Sequence, residues 1–266
     1  MCMFSSEIQE VKDTKIFARL SGRETQYLVY SMSLAADQEL AMILPLPVAM
    51  TSHKSLIRFI SLENYPDFFS HIIQVFDTGD DMRSPDMVRS RSILEVHQVG
   101  SYEASFVPSL VDFVRLDPRF QLPESIWNSL PQYSDYGFAV FHLRVNKEGK
   151  SEPFHPMAFE FATRSPDRLF FPTIHVHDGM IHNQAYFDHH LLYQSNFDPV
   201  EQIESVLLMD AMNGDRSSID YTRFTYLPAR KFFHIEKTLG IVDGSQPCRA
   251  VRIHGEFPNQ DIVLAA

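Results

Sequence analysis

Cysteine is scarce in this sequence. The 266 residues contain two cysteines, Cys2 and Cys248. Two are too few for a disulfide framework, and no Cys-x-x-Cys spacing suggests a zinc knuckle. We therefore expect a protein of a reducing compartment, the cytoplasm.

Basic residues are also few. The 23 lysines and arginines face 34 aspartates and glutamates, which leaves a formal net charge of -11. This balance argues against a phosphate backbone or an anionic membrane as the principal partner. No stretch approaches the roughly 20 apolar residues needed to span a bilayer, and the opening MCMFSSEIQEVKD lacks the basic and apolar regions of a signal peptide. We expect no nucleic-acid partner, no membrane association and a cytoplasmic location.

The common catalytic signatures are missing as well. The sequence contains no GxSxG, Walker, HExxH or GxGxxG pattern. Their absence argues against the usual hydrolase, nucleotide-binding and protease classes. It leaves open whether the chain is an enzyme.

Segments rich in β-branched and aromatic residues are plentiful. With 44% hydrophobic and 12% aromatic residues, the chain can bury one sizeable core, and we expect a single domain over 1–266. Thr14–Leu20 and Thr25–Ser33 predict a hairpin. Further strands are expected at Leu40–Leu44, Ile57–Leu62, Ser92–Val99, Tyr102–Val107, Tyr136–Val145, His155–Thr163, Arg168–His177 and Arg249–His254. Of these, the three between 136 and 177 predict an antiparallel meander.

A few short helices and one loop complete the predicted organisation. Helices are expected near Asp67–Phe76, Ser109–Arg115, Pro123–Leu130 and Pro199–Met212. The polar run DTGDDMRSPDMVRSR at about 77–91 predicts an exposed loop. The sequence thus favours the α+β class, with a mainly antiparallel β-sheet and a few short helices.

Several stretches between residue 2 and about residue 175 follow the pattern of a known family. They are the segment beginning at Cys2, AMILPLPV at 41–48, VGSYEASFV at 99–107, the LP at 122–123, the strand entry at 136–138 and HPMAFEFATRSPDRLFFPTI at 155–174. This pattern resembles an uncharacterised bacterial domain family, usually found behind a secretion signal. The resemblance implies an α+β domain with an antiparallel sheet, and it brings no established activity or ligand. The chain departs from the family in lacking an export signal and in its histidine-rich segment after 174.

That segment holds five of the 12 histidines within 16 positions. It also contains the dipeptide Asp178-Gly179, a strong signal for a tight hairpin turn. In such a hairpin His175 would pair with His182, and His177 would project from the same face. Ile174, Val176 and Ile181 would form the opposite, apolar face.

Three imidazoles on adjacent sheet positions suit an open zinc site. His175, His177 and His182 would supply three nitrogens and leave a fourth position for water. Asp178, Asp188 and His189 are further candidates as ligands or as acceptors that orient an imidazole. Zinc or another divalent transition metal is the cofactor that this pattern suggests. The competing interpretation is that the histidines are ordinary polar residues on the wet face of a strand, or line a small-molecule pocket.

The amino-terminal cysteine offers a second chemical hypothesis. Removal of Met1 would place the Cys2 thiol beside its own amine, the arrangement of N-terminal nucleophile hydrolases. The polar residues that follow Cys2 give that hypothesis little local support.

The sequence therefore favours a cytoplasmic binding or interaction protein without demonstrable catalysis. The alternatives are a zinc-type hydrolase that uses the three-histidine hairpin and an N-terminal-cysteine amidohydrolase. Edge strands and aromatic content could also support a homodimer. No substrate or partner can be named from these patterns.

Overall fold

The computed structural model describes residues 2–22, 24–49, 56–70, 72–73, 102–145, 152–195, 218–221 and 227–266. Three sequence predictions lie outside the described residues: the strand at Ser92–Val99, the helix at Pro199–Met212 and the loop at 77–91.

Strands are the main regular structure of the described chain. In chain order they are β1 (Met3–Phe4), β2 (Glu10–Ser21), β3 (Thr25–Ala35), β4 (Leu40–Leu46), β5 (Ile57–Ser61), β6 (Tyr102–Val107), β7 (Gly137–Leu143), β8 (Glu152–Pro153), β9 (Met157–Ala162), β10 (Arg168–Phe171), β11 (Gln184–Gln194), β12 (Ser218–Tyr221), β13 (Arg249–Pro258) and β14 (Ile262–Ala265).

The larger sheet has eight strands, in the order β12-β13-β11-β2-β3-β9-β5, with β8 also paired to β3. Its neighbouring strands are antiparallel except β11 and β2, which run parallel with His189 opposite Thr14. The β2–β3 hairpin confirms the sequence prediction. It turns through Gly22, whose φ of 65° is easily adopted by glycine.

The smaller sheet has four antiparallel strands, in the order β1-β4-β7-β6, and β10 pairs separately with β14. The principal core draws side chains from both sheets, including Tyr30, Leu44, Phe141 and Phe159. Alternate residues on the same strands point outward into two further apolar clusters, one on each outer face. Because strands β4 and β7 are buried on both faces, their sequences are almost continuously apolar.

Helical structure among the described residues is slight. Besides helical residues at 70 and 72–73, it consists of a five-residue α-helix, α1 (Glu124–Asn128), and short 3-10 helices at Leu110–Arg115, Pro118–Phe120, Pro131–Tyr133, Ala229–Lys231 and Ile235–Lys237. Within the described ranges, no helix has the length and apolar character that a membrane span requires.

The α+β prediction is therefore wrong, because sheets packed face to face build the core and the helices only cover outer surfaces. The predicted helices at Ser109–Arg115 and Pro123–Leu130 coincide with real but shorter turns of helix. The predicted antiparallel meander between 136 and 177 is also wrong. Its three strands became β7, β9 and β10, and each lies in a different sheet.

Candidate functional site

The chain reversal at Asp178-Gly179 is not a tight hairpin. Strand β10 ends at Phe171, and β11 begins only at Gln184. The Asp178 carboxylate instead accepts hydrogen bonds from the Met180 amide, at 3.0 Å, and pairs with the His182 ring at 2.8 Å. The three-histidine hairpin is thus absent, because local side-chain bonds shape a wider bend.

Apart from the Asp178 contacts, backbone groups of residues 173–182 bond to distant parts of the chain. Asn259 is the main partner: its side-chain oxygen accepts from the His175 amide at 2.7 Å. Its side-chain amide donates to the carbonyls of His175 and His182, at 2.9 and 3.0 Å. These bonds hold the segment without any hairpin ladder.

The same segment holds the short first strand in place. The Phe4 amide donates to the Val176 carbonyl at 3.0 Å, and the Val176 amide donates to the Cys2 carbonyl at 3.3 Å. On its other side, β1 pairs with β4. Residues 2–4 are therefore enclosed on both edges.

His175, His177 and His189 form a column of rings, in which His175 and His189 are buried and His177 is half-buried. The centroids of His175 and His177 lie 5.1 Å apart with planes 13° from parallel, and those of His175 and His189 lie 5.5 Å apart at 17°. The Phe4 and Phe187 rings border the column. Burial lowers the pKa of all three histidines, that of His177 to about 3.

The structure thus brings together two of the three predicted zinc ligands and leaves the third apart. His182 is exposed and paired with Asp178, while His189 takes the third place in the column. Rings stacked face to face do not direct their nitrogens at a common point. Within the described ranges, no three His, Cys, Asp or Glu side chains are arranged to hold a metal. The zinc site remains a prediction of the sequence that this geometry does not support.

Asp188 and His189, the remaining candidates, point to opposite faces of β11 because side chains alternate along a strand. His189 faces the core. Asp188 lies on the other face, where its carboxylate is 3.6 Å from His254 and accepts from the Asp13 amide at 3.3 Å. Asp188 therefore does not join the column.

The Cys2 thiol is buried in the principal core. Burial raises its pKa to about 12, and burial likewise raises the pKa of the Cys248 thiol. An activated cysteine nucleophile needs the opposite shift. In this conformation Cys2 is a protonated core residue.

Asp261 was not singled out from the sequence, and its carboxylate is held by three hydrogen bonds. It accepts hydrogen bonds from the Tyr133 hydroxyl at 2.6 Å and from the amides of Thr173 and Ile174 at 2.9 and 3.1 Å. Burial nevertheless raises its pKa to about 6. The Asn259-Gln260-Asp261 turn between β13 and β14 is the signal that could have been noticed, since Asn and Asp side chains commonly bond backbone amides.

The arrangement defines a class of fold: a β-sandwich of two packed sheets, in which the histidine column lies beside the first strand of the smaller sheet. No family model matches the chain. Among solved structures, the crystal structure of baculovirus P35 matches 100% of this chain and 99% of its own, with a TM-score of 0.58 and 16% identity.

Two further structures of the same baculovirus protein also match. One is the caspase-8/P35 complex, with a TM-score of 0.47 and 14% identity over 96% of each chain. The other is a mutated P35 after caspase cleavage, with a TM-score of 0.49 and 15% identity over 97% of this chain and 98% of that one. These neighbours are viral, whereas the sequence resemblance pointed to a bacterial family.

Proposed function

We propose that this chain is a protein without catalysis of its own that binds and blocks a protease of the caspase class. One observation carries the proposal: the likeness to baculovirus P35 extends over the whole of both chains. P35 is the partner of caspase-8 in one solved complex and has been cleaved by a caspase in another structure.

The chemistry of the described residues is consistent with a binding role. Both cysteine thiols are buried with raised pKa values, so neither is poised as a nucleophile. The buried histidines are held neutral by desolvation and stack on one another. These features suit a stable scaffold.

We assign the contact with the protease to residues 77–91. The sequence predicts an exposed loop there, and a loop carried by a rigid scaffold is a common binding element. Caspases cleave after aspartate, and the segment contains four aspartates, Asp77, Asp80, Asp81 and Asp86. A protease could therefore engage it as it would a substrate.

The decisive experiment is a titration of active caspase-8 with the purified chain. The remaining protease activity is measured by the hydrolysis of a fluorogenic peptide that contains aspartate. We expect inhibition that rises with the molar ratio, co-elution of the two proteins in gel filtration, and cleavage within 77–91 seen by mass spectrometry. Full protease activity at tenfold molar excess, with no complex, would overturn the caspase assignment.

A matched pair of variants tests the segment. Replacing Asp77, Asp80, Asp81 and Asp86 together by asparagine should weaken inhibition by at least about a hundredfold. The control carries Asp37→Asn, Asp67→Asn and Asp167→Asn, three exposed aspartates in other parts of the fold, and should inhibit like the unaltered chain. If the four-aspartate variant inhibits the protease as strongly as the control variant does, residues 77–91 are not part of the interface.

A further inference from the structure

A cavity of about 250 Å³ opens where the two sheets end. It lies between β5, the last strand of the larger sheet as described, and β6, the last strand of the smaller one. Its lining consists of Phe59, Ile60, Ser61, Glu63, Tyr102, Phe141, His155 and Ala158. None of these residues belongs to the histidine column.

Aromatic rings form the walls of this cavity. The Phe141 ring meets the rings of Phe59 and Tyr102 edge to face, with centroids 5.7 and 5.5 Å apart. The Tyr102 hydroxyl donates to the Pro156 carbonyl at 3.3 Å, which fixes that ring against the opposite sheet. Electron-rich ring faces attract organic cations.

An acidic side chain gives the cavity the same preference for a cation. Glu63 places a carboxylate at the wall, and burial, with the Glu63 charge added, raises the pKa of Tyr102 to about 12. The His155 Nε2 atom is shielded from solvent and has no hydrogen-bond partner among the described residues. Among the described residues that line the cavity, there is no lysine or arginine.

We infer that this cavity binds a small organic cation, a substituted ammonium group seated against the Tyr102 and Phe59 rings and neutralised by Glu63. Its size, below the roughly 300–1,000 Å³ of sites for drug-sized ligands, selects a compact head group such as trimethylammonium. The net charge of -11 favours the approach of cations in general.

The test compares the binding of choline with that of its neutral carbon isostere, 3,3-dimethylbutan-1-ol. Binding to the full chain is measured by isothermal titration calorimetry and by NMR chemical-shift changes. Choline should bind at least about tenfold more tightly, because the two molecules share a shape and only one is charged. Equal affinity would show an unselective apolar cavity, and the absence of choline binding would also overturn the inference.

Variants locate the site. Tyr102→Leu should weaken choline binding by about tenfold, whereas Tyr102→Phe, which keeps the ring, should stay within about twofold of the unaltered chain. Glu63→Gln should weaken it several-fold, and Glu124→Gln, at an exposed carboxylate on α1, should not. Unchanged affinity in both Tyr102→Leu and Glu63→Gln would exclude this cavity even if choline bound elsewhere.

Discussion

The Tyr133 hydroxyl donates a 2.6 Å hydrogen bond to the Asp261 carboxylate inside the protein. The other carboxylate oxygen accepts from the amides of Thr173 and Ile174. One buried side chain thus ties a 3-10 helix, the β13–β14 turn and the segment that encloses the first strand.

Removal of the Asp261 carboxylate should lower the stability of the fold. Asp261→Ala leaves three donors unsatisfied, and each buried orphan costs about 1–3 kcal/mol, so we expect a loss of at least about 3 kcal/mol in the free energy of unfolding. Asp261→Asn retains an oxygen for the two amides and should lose about 1 kcal/mol. Urea unfolding measures both, with Asp167→Ala as an exposed control. Equal stability of the alanine variant and the control would contradict the role of Asp261.

The two thiols should resist modification in the native state. Both Cys2 and Cys248 are buried, with pKa values raised by that burial, and the thiolate is the reactive form. We expect neither to react with Ellman's reagent on mixing and both to react in denaturant. Cys2→Ser and Cys248→Ser identify the reacting thiol, and immediate native reaction would contradict the burial.

Local patterns predicted local structure well. The β2–β3 hairpin follows from alternating apolar residues and the turn at Gly22, all within one short stretch of chain. The pairing of β2 with β11 joins residues about 175 positions apart, as Asp13 and Asp188 show. No local pattern encodes such a contact, so the sheet order could not be read from the sequence.

The histidine site shows the same limit. The Asp178-Gly179 signal was real, but tertiary partners overrode it. The backbone of this segment is bound by Asn259, about 80 residues away in sequence, and by Cys2, more than 170 residues away. Their bonds turn His175 and His177 inward to His189 and leave His182 outside. Alternation along a strand predicted the rings of His175, His177 and His182 on one face. In the structure His175 and His177 do lie together, but the third ring beside them is that of His189.

Gly137 should tolerate no side chain without a cost. A Cβ atom there would lie 2.8 Å from the Phe106 ring and 3.1 Å from a Val48 methyl. Overpacking of this kind typically costs about 1–3 kcal/mol, so Gly137→Ala should lower the midpoint of thermal unfolding. In a Phe106→Leu background the same substitution should cost less. Additive effects of the two changes in a double-mutant cycle would show that the contact does not exist.

The column of His175, His177 and His189 should make the protein sensitive to acid. Burial holds the pKa of His177 at about 3, below its ordinary 6.5, and lowers the pKa values of His175 and His189 in the same direction. The unfolded chain therefore binds more protons, and stability falls as the pH drops below about 6.5, down to the folded pKa values. Asp261 acts oppositely: its pKa, raised to about 6, adds stability as the pH falls from about 6 to 4. Because three histidines lose stability on acidification and only one carboxylate gains it, we expect the free energy of unfolding to fall as the pH is lowered.

His177→Phe isolates the contribution of one ring. Phenylalanine keeps an aromatic side chain next to Phe4 and His175 but takes up no proton, and a tenfold difference in proton affinity between the folded and unfolded chain is worth about 1.4 kcal/mol. The variant should retain more of its neutral-pH stability at pH 5 than the unaltered chain, measured by urea unfolding at pH 7.5 and pH 5. His182→Gln, at an exposed histidine, should leave the acid sensitivity unchanged. If His177→Phe and His182→Gln lose stability equally on acidification, the column is not the source of the acid sensitivity.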